Sequence, residues 1–224
     1  MMIAQAVTEG RYADAQDALN RAGFGPLVVD GVWGPRSRAA YEAWRASRPQ
    51  GAATRDPHTL ALAAMGSWAD MGVRESGHNR GRWPTAIATY GGRDPSSDGA
   101  WCAWGVSAAL LIAAHASGTE LVTRTSGAVR SLWQLNPGAQ TRGPRPGDVF
   151  IRARKADDVP AFTSGSPLGH CGLVERVYAD GVMHTIECNT DGDGGAEGDG
   201  VYRRTLRTDD PRLVGYISPL WRLR

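Results

Sequence analysis

The spacing of apolar positions divides the chain into a helical first part and a mixed second part. Near the start, Tyr12, Ala15, Leu19 and Ala22 recur at helical intervals, and Gly23 follows as a residue that tolerates left-handed dihedrals. Asp30-Gly31 reads as a turn, and Gly34-Pro35 sets proline at the first position of a second helix carrying Ala40, Tyr41 and Trp44 inward. A third helix is expected from Asp56-Pro57, with Asp56 as cap and Leu60, Ala64 and Met65 packing. No clear period runs from Gly66 to Gly72. The pattern therefore predicts a helical domain over 5–66, a linker over 67–74 and a second domain over 75–224.

In the second part, the apolar run from Cys102 to Ala116 puts Val106, Ala109, Leu110 and Ala113 on one helical face. Strands are expected at 148–152, 169–178, 182–190, 201–205 and 213–217, which are rich in β-branched and aromatic residues. Ala179-Asp180-Gly181 is a hairpin signal that makes the second and third of these strands antiparallel neighbours. The fold class is α+β: a small N-terminal bundle of three helices, then a domain whose long helix packs on an antiparallel sheet.

A chain of 224 residues with 42% hydrophobic content can bury a core and still carry a small second domain. Its 25 basic and 23 acidic residues leave a net charge of only +2, so no strong field draws it to nucleic acid. The arginines near the end (Arg203, Arg204, Arg207, Arg212, Arg222 and Arg224) read as a solvated surface. The longest nonpolar run, Ala108 to Ala114, is too short to span a bilayer. Three cysteines without regular spacing make neither a disulfide scaffold nor a zinc site, and no metal or cofactor is expected.

The candidate chemistry begins at Cys102, where a Gly-rich polar stretch gives way to the helix. Unpaired backbone N–H groups in a first helical turn favour a thiolate. The partner is His170, at the opening of a strand in Gly169-His170-Cys171-Gly172. Three registers of the hairpin would oppose it to Glu187, Asn189 or Asp191. Because strand side chains alternate, all three set His170, Glu187 and Asn189 on one face and turn Cys171 and Cys188 to the other. A nucleophile, a base and groups that orient the imidazole are what activation of a thiol at neutral pH requires. On the hidden face, Cys171 and Cys188 are either two buried thiols or one disulfide.

Trp101-Cys102-Ala103, Pro146-Gly147-Asp148-Val149, Gly169-His170 with Gly172, and Ile186-Glu187-Cys188-Asn189-Thr190 together resemble the signature of the CHAP peptidoglycan hydrolases, papain-like cysteine amidohydrolases. The resemblance covers the C-terminal two thirds of the chain. It implies a papain-like domain with Cys102 as nucleophile, His170 as general base, Glu187 as imidazole orienter and Asn189 as an assisting polar group. It implies cleavage of an amide bond in bacterial peptidoglycan, as an N-acetylmuramoyl-L-alanine amidase or an endopeptidase. Cys171 and Cys188 depart from the pattern, and on the face away from the site they are expected to leave the chemistry undisturbed.

Leu19 to Phe24, Asp30 to Pro35 and Arg38-Ala39-Ala40 are similar to the helical peptidoglycan-binding domain. Trp33 in its loop and Trp101 beside the nucleophile are the candidate substrate contacts. Residues 1–9 lack a basic region followed by a long apolar core, so no secretory signal is expected. The resemblance then implies a phage endolysin type: a monomer made in the host cytoplasm, without membrane insertion, delivered to the wall by a holin-like, membrane-permeabilising partner. The rival readings are an NlpC/P60-type endopeptidase and a non-catalytic wall-binding or phage structural protein.

Two further motifs are weighed and set aside. Glu75-Ser76-Gly77 resembles the catalytic acid of some lytic transglycosylases, but His78-Asn79-Arg80-Gly81 lacks the rest of that pattern. Asn189 to Gly200 has the alternating acids of a calcium loop without its closing glutamate, and reads as a Gly-rich turn between strands.

Overall fold

The computed structural model describes residues 3–8, 10–47, 56–165, 168–191 and 198–223. It is mixed α and β with antiparallel sheets, in two compact units, residues 1–53 and 54–224. Among the described residues no helix is long and apolar enough to cross a membrane.

The first unit holds α1 (Ile3–Thr8), α2 (Tyr12–Arg21) and α3 (Pro35–Ser47). Gly23 ends α2 with φ 84°, and the N–H of Phe24 returns to the Leu19 carbonyl at 3.0 Å. Buried Gln16 organises the loop that follows. Its carbonyl oxygen accepts from the N–H groups of Asp30 and Gly31, and its amide donates to Asp30 Oδ1 and to the Val32 carbonyl. This network carries Trp33 onto Tyr12 (ring centroids 5.2 Å apart) with Tyr41 at its edge. Trp33 is thus half-buried in an aromatic ladder that Tyr41 and Trp44 extend, rather than a free plate in a loop.

The second unit contains α4 (Pro57–Asp70), α5 (Arg82–Tyr90), α6 (Cys102–Ser117), β1 (Thr119–Leu121), α7 (Val129–Leu135), β2 (Gln140–Thr141), β3 (Val149–Ala153), β4 (Gly169–Val177), β5 (Val182–Thr190), β6 (Gly200–Arg207), β7 (Leu213–Ile217) and β8 (Trp221–Leu223). Six strands form one antiparallel sheet in the order β2-β7-β3-β4-β5-β6, and β1 pairs with β8.

The structure moves the domain boundary. Helix α4 begins at the expected cap, where Asp56 accepts from Thr59 N–H at 2.9 Å, but it belongs to the second unit and not to the N-terminal bundle. Ala61, Met65 and Trp68 are buried in the same core as Cys102, Val106 and Leu173. The expected linker is therefore partly helix. Its period is faint in the sequence because α4 packs on several sides, against α6 and the β4–β6 part of the sheet, leaving only a narrow exposed strip at Thr59, Ala63, Ser67 and Asp70. Gly66 lets the helix lie close, since a Cβ there would stand 3.2 Å from Arg203 Nη2.

Helix α6 is the centre of this unit. The sequence predicts one apolar face, yet Ala103, Ala108 and Ala114 are buried along with Val106, Ala109, Leu110 and Ala113, because α4, α5, β4 and β5 surround the helix. The sheet face toward α6 carries Val149, Ile151, Cys171, Leu173, Ile186 and Cys188. Phe150, Val174, Met183 and Tyr216 cluster on the other. Gly105 sets the closest approach: a Cβ there would meet Cys188 Sγ at 2.5 Å, so the first turn of α6 rests directly on β5.

Candidate active site

Cys102 is the first residue of α6 and is 5% exposed. The helix starts here because the Gly105 N–H closes the first turn on the Trp101 carbonyl at 2.8 Å. The N–H groups of Cys102 and its neighbours then lie in the turn that has no intrahelical acceptors, and the Ala103 N–H contributes to holding the sulfur as thiolate.

His170 opens β4 and is 1% exposed. Its Nε2 lies 2.9 Å from Glu187 Oε2, and the other carboxylate oxygen accepts from Thr185 Oγ1 at 2.6 Å. With Nε2 so engaged, Nδ1 remains for the sulfur. It is buried without a hydrogen-bond partner, while thiol and imidazole act on each other's titration. Burial works to lower the His170 pKa, but Cys102 and then Glu187 overcome it and raise it from 6.5 to about 9. The Glu187 carboxyl is held below its ordinary value: burial opposes this, and His170 outweighs burial with help from Thr185 and Arg152. Both shifts favour the charged forms of the imidazole and the carboxylate.

The paired register places Leu173 opposite Ile186 and Val174 opposite Thr185; continued along β4, it opposes His170 to Asn189. His170 and Glu187 share a face as expected. Asn189 does not join them at the imidazole. It sits at a break in the β5–β6 register with φ 57°, and its Oδ1 accepts from the Trp101 N–H at 2.6 Å while its Nδ2 donates to the Gly198 carbonyl at 3.2 Å. The bulge turns the amide away from the alternation that the sequence reading assumed, so Asn189 tethers the backbone immediately before Cys102.

Trp101 is also corrected. Its ring is fully buried and its Nε1–H donates to Glu75 Oε1 at 2.7 Å, which leaves no indole surface for a substrate.

Glu75 has a structural task. Its second oxygen accepts from the Asn79 N–H at 2.6 Å, so the carboxylate clamps the Asn79 turn to the Trp101 ring. Buried Arg93 supports the same loop from behind, donating to the carbonyls of Asn79 (3.1 Å) and Gly99 (2.8 Å). A cavity of about 480 Å³ opens beside this clamp, lined by Glu75, Asn79, Asn189, Asp191, Asp199 and Tyr202 among others; neither Cys102 nor His170 lines it. The calcium reading of Asn189 to Gly200 falls largely on 192–197, outside the described residues.

The cysteines hold the main surprise. All three are free and buried, and Cys171 and Cys188 do face away from His170. That face, however, is the one on which Cys102 begins its helix. The Cys102 thiol is held well below its ordinary value of 9.0, first by a hydrogen bond with the Cys171 thiol, against burial, and then by His170. Cys171 moves the opposite way, raised by Cys102 and by burial. Cys171, expected to stand apart from the chemistry, thus bears on the titration of Cys102.

Thr185 and Arg152, which act on Glu187, are not among the sequence candidates, and Cys171 stands there only as a bystander. Arg152 did leave a signal: it is the one charged residue in the otherwise apolar strand β3. No family model, curated protein or solved structure matches the chain.

Proposed function

We propose that the second unit is a papain-like cysteine amidohydrolase of the CHAP type, which cleaves an amide bond in the peptide part of bacterial peptidoglycan. The observation that carries this reading is the buried His170–Glu187 pair, with the imidazole 2.9 Å from the carboxylate, in the same unit as a buried cysteine at a helix start. The peptidoglycan assignment rests on the sequence motifs.

In the proposed reaction, the Cys102 thiolate attacks the amide carbonyl carbon, and the carbonyl oxygen becomes an oxyanion near the N–H of Cys102. Protonated His170 gives its proton to the leaving amine as the C–N bond breaks. The same imidazole then takes a proton from water, which attacks the thioester and releases the acid and the thiolate. Glu187 keeps the ring oriented and favours its charged form throughout.

The first unit, with its loop ordered by Gln16, is proposed as the wall-binding module, bringing the hydrolase to its polymeric substrate. The protein would act at the wall as a monomer, after delivery by a holin-like partner.

Lysis of purified walls by the wild type, with loss of lysis in Cys102→Ala and His170→Ala, is the expected result. Mass spectrometry of fragments from defined peptidoglycan then identifies the bond. Lysis that persists in both variants rejects the cysteine mechanism, and a wild type that binds walls without releasing fragments points to the non-catalytic reading.

A further inference from the structure

We propose that Arg152 is a positioning residue of this site: its guanidinium holds Glu187 as a carboxylate, and Glu187 in turn holds His170 as the imidazolium that faces Cys102. The proposal rests on the Cys–His reading above and adds a member to it.

Arg152 and His170 are direct partners on the adjacent strands β3 and β4, so their side chains leave the same face of the sheet. Two residues along β4 from His170, the next position on that face is Gly172. Its missing side chain is the space Glu187 occupies, with Glu187 Cγ only 2.9 Å from where a Cβ would be. The carboxylate from β5 therefore reaches across β4 toward His170 and the strand beyond it, which carries Arg152.

Arg152 is 6% exposed. A guanidinium placed so deeply requires an opposite charge, because its desolvation is otherwise uncompensated. Asp210 supplies one only in part: it stands 3.7 Å away and is held by Arg212 through two shorter contacts of 3.0 and 2.8 Å. Glu187, on the same face one strand further, is the other carboxylate on this side of the sheet; it makes no direct ion pair with Arg152 and acts across His170, so the order of charges is Arg212, Asp210, Arg152, His170, Glu187. Each buried charge in this order has an opposite charge on at least one side.

The titration behaviour agrees. Burial lowers the Arg152 pKa, and Glu187 is the largest opposing influence, ahead of Asp210, while Arg212 and Arg204 act with burial. Arg152 acts on Glu187 in the favourable direction too. Besides these, Thr185 donates to Glu187, and Cys171 and His170 face Cys102.

The test is the pH dependence of Cys102 alkylation by iodoacetamide, followed by intact mass and peptide mapping on the full chain. This readout needs no substrate. In the wild type the thiol reacts well below pH 9. In Arg152→Met the half-reaction pH is expected to rise by about one unit, the scale of removing one nearby charge. Arg152→Lys, which keeps the charge, should stay near the wild type. In a Glu187→Gln background the Arg152→Met shift should disappear, which a merely structural role would not produce. If the methionine variant does not fold, Arg152→Gln replaces it with the same expectation. An unmoved profile in the uncharged variant, or a shift that persists without Glu187, overturns the proposal alone. A wild type with no reactive thiol below pH 9 overturns the underlying Cys–His reading as well.

Discussion

The Glu187 side chain lies over Gly172: a Cβ at that glycine would stand 2.9 Å from Glu187 Cγ and 2.5 Å from the Ile186 carbonyl oxygen. The contact between Glu187 and His170 therefore depends on a residue that takes part in neither proton transfer nor charge.

Gly172→Ala should consequently displace Glu187 from the imidazole. A displacement near 1 Å at a reacting group costs on the order of 100-fold in rate. The expected outcome is a fall of about that size in wall hydrolysis by the folded fraction, measured alongside a thermal melt. Full activity in a folded variant would show that the carboxylate does not need this path.

The pH profile follows from two shifts of opposite sign. The raised His170 pKa means that the proton serving the leaving amine is present below about 9 and lost above it. The lowered Cys102 pKa means that the thiolate is present above its depressed value and lost as pH falls through it. In stability terms, the His170 contribution is complete below 6.5 and fades through about 9, and that of Cys102 is complete above 9.0 and fades in acid. Hydrolysis should give a bell with its basic limb near 9, and Glu187→Gln should bring that limb down by about one unit or more. A basic limb unchanged in that variant would remove Glu187 from the mechanism.

Cys171→Ala removes the largest influence lowering the Cys102 pKa. The acid limb of hydrolysis should move to higher pH, and alkylation of Cys102 in mildly acidic buffer should slow, while the basic limb stays with His170. Unaltered alkylation across the range would mean that Cys171 is only a core residue.

Glu75→Ala leaves the Trp101 indole N–H and the Asn79 N–H without their acceptor. An unsatisfied buried donor costs about 1–3 kcal/mol, so chemical denaturation should report a loss of that order. The folded variant should still release peptidoglycan fragments, because Glu75 serves the loop and not the bond cleavage. Complete loss of hydrolysis without loss of stability would return Glu75 to the role of an acid.

Much of this arrangement is local and legible in the sequence. Asp56 caps α4, Gly23 ends α2, and the Asp180-Gly181 turn joins β4 to β5, since caps and turns depend on a few adjacent residues. The alternation that puts His170 and Glu187 on one face is equally local. Asn189 escapes that logic because a bulge shifts the alternation, and its only mark in the sequence is a residue type that tolerates the positive φ it adopts. Helix α4 reads as part of the first domain because its apolar positions are the same whichever core they enter.

The order of residue types along the chain thus determined α2, α3, α4 and α6, most of the strands, and the candidates Cys102, His170 and Glu187, because those follow from periodicity and side-chain chemistry, whereas the short helices α1, α5 and α7 carry too few periodic positions to be read. Only the tertiary structure decided that α4 joins the second unit, that Cys171 enters the same core as Cys102, that Asn189 binds the backbone at Trp101, and that Arg152 lies beside His170. Those are contacts between segments remote in sequence, set by how strands register and how closely a helix can approach a sheet, and no single stretch of chain contains them.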